Sequence, residues 1–180
     1  MSGQKRILMQ AGDIDIALER ICLQIVEHNK QTDKIAVVGI HTCGVYLGKR
    51  LQELLSERLG RTVAFGSLDI NLYRDDWSLM TQNPVVKTTD IGFDVDGARV
   101  ILIDDVVFSG RTSRAAMEAL FDYGRPQCLQ LATLIDRGER ELPIQPDYVG
   151  LKTEIQAGER ISVLVDENKI CTEVVVERVV

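Results

Sequence analysis

Apolar positions along the chain fall into two periods, one of about 3.6 residues and one of 2. From Asp13 to Lys30 the residues Ile14, Ala17, Leu18, Ile21 and Ile25 recur every three or four positions. That spacing predicts an amphipathic helix with Asp13 as its N-cap. KIAVVGI (34–40) is a short, unbroken, β-branched run, the pattern of a strand buried on both faces. The turn HTCG follows, then a second helix with Leu47, Leu51, Leu54 and Leu55 inward. TVAFGSLDINLY (62–73) alternates at Leu68, Ile70 and Leu72 and predicts a strand. RVILID (99–104) and QCLQLATLI (127–135) read as further strands. Between them RTSRAAMEALFDYG (111–124) reads as a helix closed by Gly124, with Pro126 just beyond. YVGL (148–151), ISVLV (161–165) and TEVVVERVV (172–180) are strand-like.

Strands alternating with helices predict an α/β fold with a mostly parallel sheet flanked by helices. A chain of 180 residues fits a single domain. In such sheets ligands bind beyond the carboxyl ends of the strands. Three turns lie there: HTCG, the acidic stretch after RVILI, and DRGERE. Residues 74–97 keep no period and carry Pro84. A loop this long inside a compact domain is commonly functional.

Composition narrows the partners. A net charge of −6 runs against a dedicated nucleic-acid binder, whose balance is usually basic. The four cysteines include no CxxC pair, so zinc-ribbon and dithiol redox motifs are excluded. The N-terminal MSGQKRILMQAGD has no signal-peptide apolar core, and no apolar run approaches the ~20 residues of a membrane span. The expected setting is the reducing cytoplasm, with thiols unpaired.

Two motifs carry chemistry. GIHTCG (39–44) has the glycine spacing of a P-loop, but Val45 stands where lysine is required, so that reading is rejected. Its alternatives are a plain strand-to-helix turn and a backbone N–H cradle for an anion. In ILIDDVVFSGRT (101–112), Asp104 and Asp105 end an apolar run, and Ser109, Gly110 and Thr112 lead into a helix. Successive N–H groups at that helix start, with two hydroxyls, form a phosphate nest. Adjacent carboxylates repel phosphate and suit sugar hydroxyls or the water shell of Mg²⁺. A ribose 5′-phosphate satisfies both halves.

VILIDDVVFSGRT (100–112) resembles the phosphoribosyl pyrophosphate (PRPP) motif of type I phosphoribosyltransferases. LDINLYRDD (68–76), FDVDGARVILIDDV (93–106), RAAMEALFDYGRP (114–126) and DRGERELPIQPDYVG (136–150) are similar to the PyrR family. Its members are pyrimidine operon regulators that also act as uracil phosphoribosyltransferases. The resemblance spans about residues 7–165.

It implies a type I phosphoribosyltransferase fold with a small C-terminal hood formed largely by residues 136–180, and a homodimer. The implied reaction is uracil plus PRPP giving UMP and pyrophosphate. Asp104 and Asp105 would hold the ribose hydroxyls, partly through Mg²⁺, with Asp105 the first candidate for a general base. The PRPP-binding stretch would run on through Val106, Val107, Phe108, Ser109, Gly110, Arg111 and Thr112. Thr42 and Cys43 would meet pyrophosphate. Arg74, Asp75 and Asp76 would open a mobile loop, and Arg137 and Ile161 would contact uracil. Arg20 and Arg140 would be the contacts to operon leader RNA, on a surface where Glu19 and Glu139 add negative charge. Two alternatives remain beside the enzyme: an RNA-binding attenuator sensing UMP or UTP, and a nucleotide sensor with little catalysis.

Overall fold

The computed structural model describes residues 5–30, 32–75 and 88–178. Its elements are β1 (Arg6–Gln10), α1 (Ala11–His28), β2 (Ile35–Ile40), α2 (Cys43–Leu59), β3 (Ala64–Leu68), a 3-10 turn (Asn71–Tyr73), β4 (Arg99–Val107), α3 (Arg111–Phe121), β5 (Cys128–Asp136), β6 (Tyr148–Lys152), β7 (Glu159–Val165) and β8 (Cys171–Arg178). β2 to β6 form a five-stranded sheet in the order β3-β2-β4-β5-β6. Every pairing in it is parallel. A smaller antiparallel sheet, β1-β8-β7, is called the hood below; it takes in β1, and residues 148–152 of the expected 136–180 hood belong to the main sheet instead.

The period of 2 sorts the central strands onto two cores. Ile35, Val37, Ile101 and Ile103 join α1, α2 and the hood on one face. Val38, Ile40, Val100 and Leu102 join Ala115, Ala116, Ala119 and Leu120 of α3 on the other. Strands covered on both faces explain why KIAVVGI and RVILI are unbroken apolar runs.

Several boundaries differ from the sequence reading. α1 begins at Ala11, and Asp13 acts from its first turn, accepting the Gln10 N–H at 2.9 Å. That is the reciprocal half of a capping box. β3 stops at Leu68, and Asn71–Tyr73 form a 3-10 turn instead of more strand. β4 passes through the acid pair to Val107, since its ladder with β5 continues to the pair Val107↔Asp136. Parallel pairing there overrides the poor strand propensity of aspartate. β6 adds to the main sheet by pairing with β5, while β1, unread in the sequence, supplies a strand of the hood.

Two glycines set how closely α2 approaches the sheet. A Cβ on Gly39 would lie 2.5 Å from Val45 Cα, and one on Gly44 would lie 2.5 Å from the Ile103 carbonyl oxygen. The spacing in GIHTCG therefore brings the start of α2 onto the backbone that leads into Asp104. Gly44→Ala is expected to lower stability by about 1–3 kcal/mol or more through this backbone overlap. Gly12→Ala, at a helical position with nothing within 4 Å, is expected to be neutral or mildly stabilising. Urea denaturation midpoints of the two variants check both.

Candidate active site

The carboxyl ends of the five parallel strands form a row. Asp69 and Asn71 follow β3, His41 and Thr42 follow β2, Asp104 and Asp105 lie in β4, Asp136 ends β5 and Lys152 ends β6. A crevice of about 380 Å³ opens over the first part of the row, lined by His41, Thr42, Asp69, Asn71, Arg74, Asp104, Asp105, Val106, Thr112 and Arg160. A shallower depression of about 260 Å³ lies at the β5–β6 end, bounded by Asp136, Arg137, Gly138, Lys152, Thr153 and Glu154.

Asp104 is 5% exposed and Asp105 is half-buried. Each side chain folds back on the strand: Asp104 Oδ1 accepts the Asp105 N–H at 3.0 Å, and Asp105 Oδ1 accepts the Val106 N–H at 3.0 Å. Burial, and then the neighbouring Asp105 charge, push the Asp104 carboxyl well above the ordinary range. A site of this kind favours anything that brings positive charge or hydroxyl donors to the pair.

The turn in which the sequence reading expects a phosphate site leads into α3. Gly110 is its N-cap with φ +91°, a left-handed angle that glycine tolerates. Ser109 Oγ accepts the Arg111 N–H at 3.4 Å. The Ser109 carbonyl accepts N–H groups from Glu141 at 3.0 Å and Leu142 at 3.1 Å. Within the helix's first turn Ser113 is 1% exposed and its hydroxyl has no hydrogen-bond partner.

Side chains in the predicted PRPP stretch divide by where they point. Thr42, Asp104, Asp105, Val106 and Thr112 line the crevice. Val107 is 2% exposed in the α3-side core. The Phe108 ring lies 4.0 Å beneath the Arg137 guanidinium. Arg111 turns outward to Asp75 at 2.5 Å and Glu141 at 2.6 Å, linking the start of the long loop to the DRGERE segment. Cys43 Sγ faces the hood, 3.8 Å from the Val163 carbonyl. Burial, then Asp105, push that thiol up to about 12, so it stays protonated. All four cysteines are unpaired.

Other predicted contacts are placed differently. Ile161 is 7% exposed and packs in the hood core. Its neighbour Arg160 points the other way, as alternation along β7 requires, and lines the crevice. Arg137 pairs with Glu139 at 2.9 Å and borders the smaller depression. Arg140, read as an RNA contact, is enclosed: its side chain is 11% exposed and pairs with Asp136 at 2.6 Å. It also donates to the carbonyls of Phe108 at 2.7 Å, Ile144 at 2.9 Å and Gly138 at 3.1 Å. A guanidinium with five donors so engaged is a clamp between the phosphate loop and the DRGER loop, not a surface contact. Arg20 stays on the outer face of α1 and donates to the Gly150 carbonyl. Arg74 and Asp75 mark the loop's entry, and Asp76 lies outside the described residues.

Asp69 and Arg160 were missed as site residues by the sequence reading. Asp69 sits inside the segment LDINLYRDD, yet an aspartate one residue past a strand carries no signal of its own. Arg160 gave none, because only the pairing of two distant strands brings it here.

The sequence profile of the Phosphoribosyl transferase domain matches residues 7–167. A protein of Syntrophobacter fumaroxidans named Bifunctional protein PyrR is 46% identical over 173 residues, covering 96% of this chain and 93% of that one. A Thermoanaerobacter protein of the same name is 47% identical over 175 residues, covering 97% and 98%. Another from Deinococcus radiodurans is 46% identical over 167 residues, covering 93% and 91%. Among solved structures, the hypoxanthine phosphoribosyltransferase of Trypanosoma cruzi superposes with a TM-score of 0.71 at 16% identity, covering 97% of both chains. A hypoxanthine-guanine phosphoribosyltransferase of Bacillus anthracis gives 0.67 at 18% identity, covering 85% and 86%. These structural likenesses concern the fold.

The Asp104 shift yields a stability test. Its folded carboxyl holds the proton more tightly than the unfolded one, so stability is lost as pH rises above the ordinary value of 3.8. Asp104→Asn removes that cost and keeps the acceptor for the Asp105 N–H. It is expected to melt above wild type at pH 8, by about 2–4 °C for each kcal/mol relieved. The advantage vanishes as pH falls toward 3.8, as thermal unfolding across pH would register. An acid pair near the end of a parallel strand, the matching domain profile and these relatives have one meaning: the chain belongs to the PyrR family of phosphoribosyltransferases.

Proposed function

We propose that this chain transfers a phosphoribosyl group from PRPP to uracil, giving UMP and pyrophosphate. The observation that carries the reading is the meeting of Asp104, Asp105, Thr42 and Thr112 in one crevice. The order of the strand ends allots the ligand. Thr112 and the α3 N-terminus take the 5′-phosphate, and the acid pair takes the ribose hydroxyls. The Thr42 turn takes pyrophosphate. Uracil sits toward the depression bounded by Arg137 and Lys152, one strand further along the sheet.

In the reaction the bond from ribose C1 to the pyrophosphate oxygen breaks, the bond from C1 to uracil N1 forms, and the N1 proton passes to solvent. Positive charge develops on the ribose, and the Asp104–Asp105 carboxylates lie where they favour it. Holding both reactants in line across adjacent strand ends supplies the positioning.

The donor set fits Mg²⁺ arriving with PRPP. Among the described residues no group of three or more metal-ligating side chains is assembled. Mg²⁺ typically keeps several waters and binds through one or two carboxylates plus substrate phosphates. Asp104 and Asp105 are that acid pair. When bound, the ion neutralises charge on the leaving pyrophosphate.

The test is UMP formation from uracil and PRPP with Mg²⁺, with orotate and the purine bases in parallel. Uracil is the base expected to turn over, and turnover of none of them sinks the enzyme reading.

A regulatory role is supported by the relatives' name, which calls them bifunctional. Its ligand would be the leader RNA of a pyrimidine operon, with UMP or UTP as the sensed signal. Phosphate neutralisation dominates RNA affinity. On α1 the exposed Arg20 stands beside the exposed Glu19. A gel shift with that RNA is expected to be weakened by Arg20→Ala and strengthened by Glu19→Thr, each with a changed salt slope. A shift that neither variant alters removes this face from the reading.

A further inference from the structure

Of the residues lining the large crevice, Arg160 alone comes from the hood. It sits on β7, exposed, with its side chain on the opposite side of the strand from the buried Ile161. Its cross-strand partner is Glu177, yet no carboxylate lies within the 4.0 Å of an ion pair among the described residues. Other arginines around the site are committed: Arg111 to Asp75 and Glu141, Arg114 to Glu118, Arg137 to Glu139, Arg140 to Asp136. Arg160 thus brings an unengaged guanidinium to a crevice whose floor holds Asp69, Asp104 and Asp105.

We propose that Arg160 is a binding residue for the pyrophosphate group, reaching it from the hood across the crevice from Thr42. This rests on the phosphoribosyl transfer reading and adds to it a residue outside the 100–112 motif stretch. The chemistry is specific. The Thr42-Cys43-Gly44 turn offers backbone N–H groups and one hydroxyl, but its third functional group is a protonated thiol turned toward the hood. A leaving polyanion needs cationic donors, and a guanidinium gives two parallel N–H···O bonds to a phosphate. Because Arg160 holds no acid partner among the described residues, binding pyrophosphate breaks no ion pair seen there. Its carrier strand is joined to β8 through seven register pairs, so the charge is presented from ordered backbone.

The experiment uses the full-length chain and inorganic pyrophosphate with Mg²⁺ as the probe, followed by calorimetry. Arg160→Ala is expected to weaken pyrophosphate binding by about 10- to 100-fold, the usual worth of a charge-assisted bond to phosphate. Arg160→Lys keeps part of the affinity. Arg178→Ala removes the same charge from another exposed position of the same sheet and is expected to leave binding unchanged. In steady-state kinetics KM for PRPP rises in Arg160→Ala while KM for uracil holds. Equal pyrophosphate affinity in wild type and Arg160→Ala overturns the proposal, and so does an equal loss in Arg178→Ala, which would mean general electrostatics. The binding comparison needs no turnover, so a chain that binds pyrophosphate through Arg160 but forms no UMP would fail the uracil reading and not this one.

Discussion

The structure turns on the burial of two adjacent carboxylates in a strand. Asp104 and Asp105 lie in β4, between β2 and β5, the first buried and the second half-buried. Like charges in a poorly solvated place cost stability, and nothing in the described protein offsets them with a cation at short range. A packed strand end is the reverse of what a sequence optimised for stability alone would place there. Their persistence makes sense when the compensating groups belong to the ligand.

Everything around the pair serves to hold that geometry. Gly39 and Gly44 let α2 settle on the backbone just before Asp104. On the far side, the Arg140–Asp136 pair and the Arg140 bonds to the Phe108 and Gly138 carbonyls fix the phosphate loop against the end of β5. Such enclosed, fully bonded pairs are poor sources of net stability but hold position well, since removing either partner strands a buried charge. The turn into α3 is thereby held in place beside the strand that carries the acids.

Local patterns were legible in the sequence, and long-range ones were not. The buried strands and the three helices depend on residues close to one another in sequence, and the structure places them as read, within a few residues at most ends. β1 went unread because a five-residue strand paired only to β8, far along the chain, has no neighbour in sequence to announce it. Motif reading also treats a stretch as a unit. Val107 and Arg111 contribute backbone to the phosphate loop, while their side chains serve the core and the Asp75–Glu141 link. On β7, Ile161 and Arg160 differ by a single step of alternation, and only the strand's placement shows which side chain faces the crevice.

The second sheet also bears on the charge around the acid pair. Beneath the acid pair it presents Cys171, whose thiol burial and then Asp105 push up to about 11, and it receives Cys43 against Val163. Both thiols remain neutral, so the layer under Asp105 adds no third negative charge. Above the pair the same sheet carries Arg160. One antiparallel sheet thus lines the acidic floor with uncharged groups on one side of β7 and β8 and offers a cation to the crevice on the other. Alternation along a strand is enough to produce this division. The charge balance of the crevice is accordingly a property of how the two sheets pack, not of the acidic motif alone.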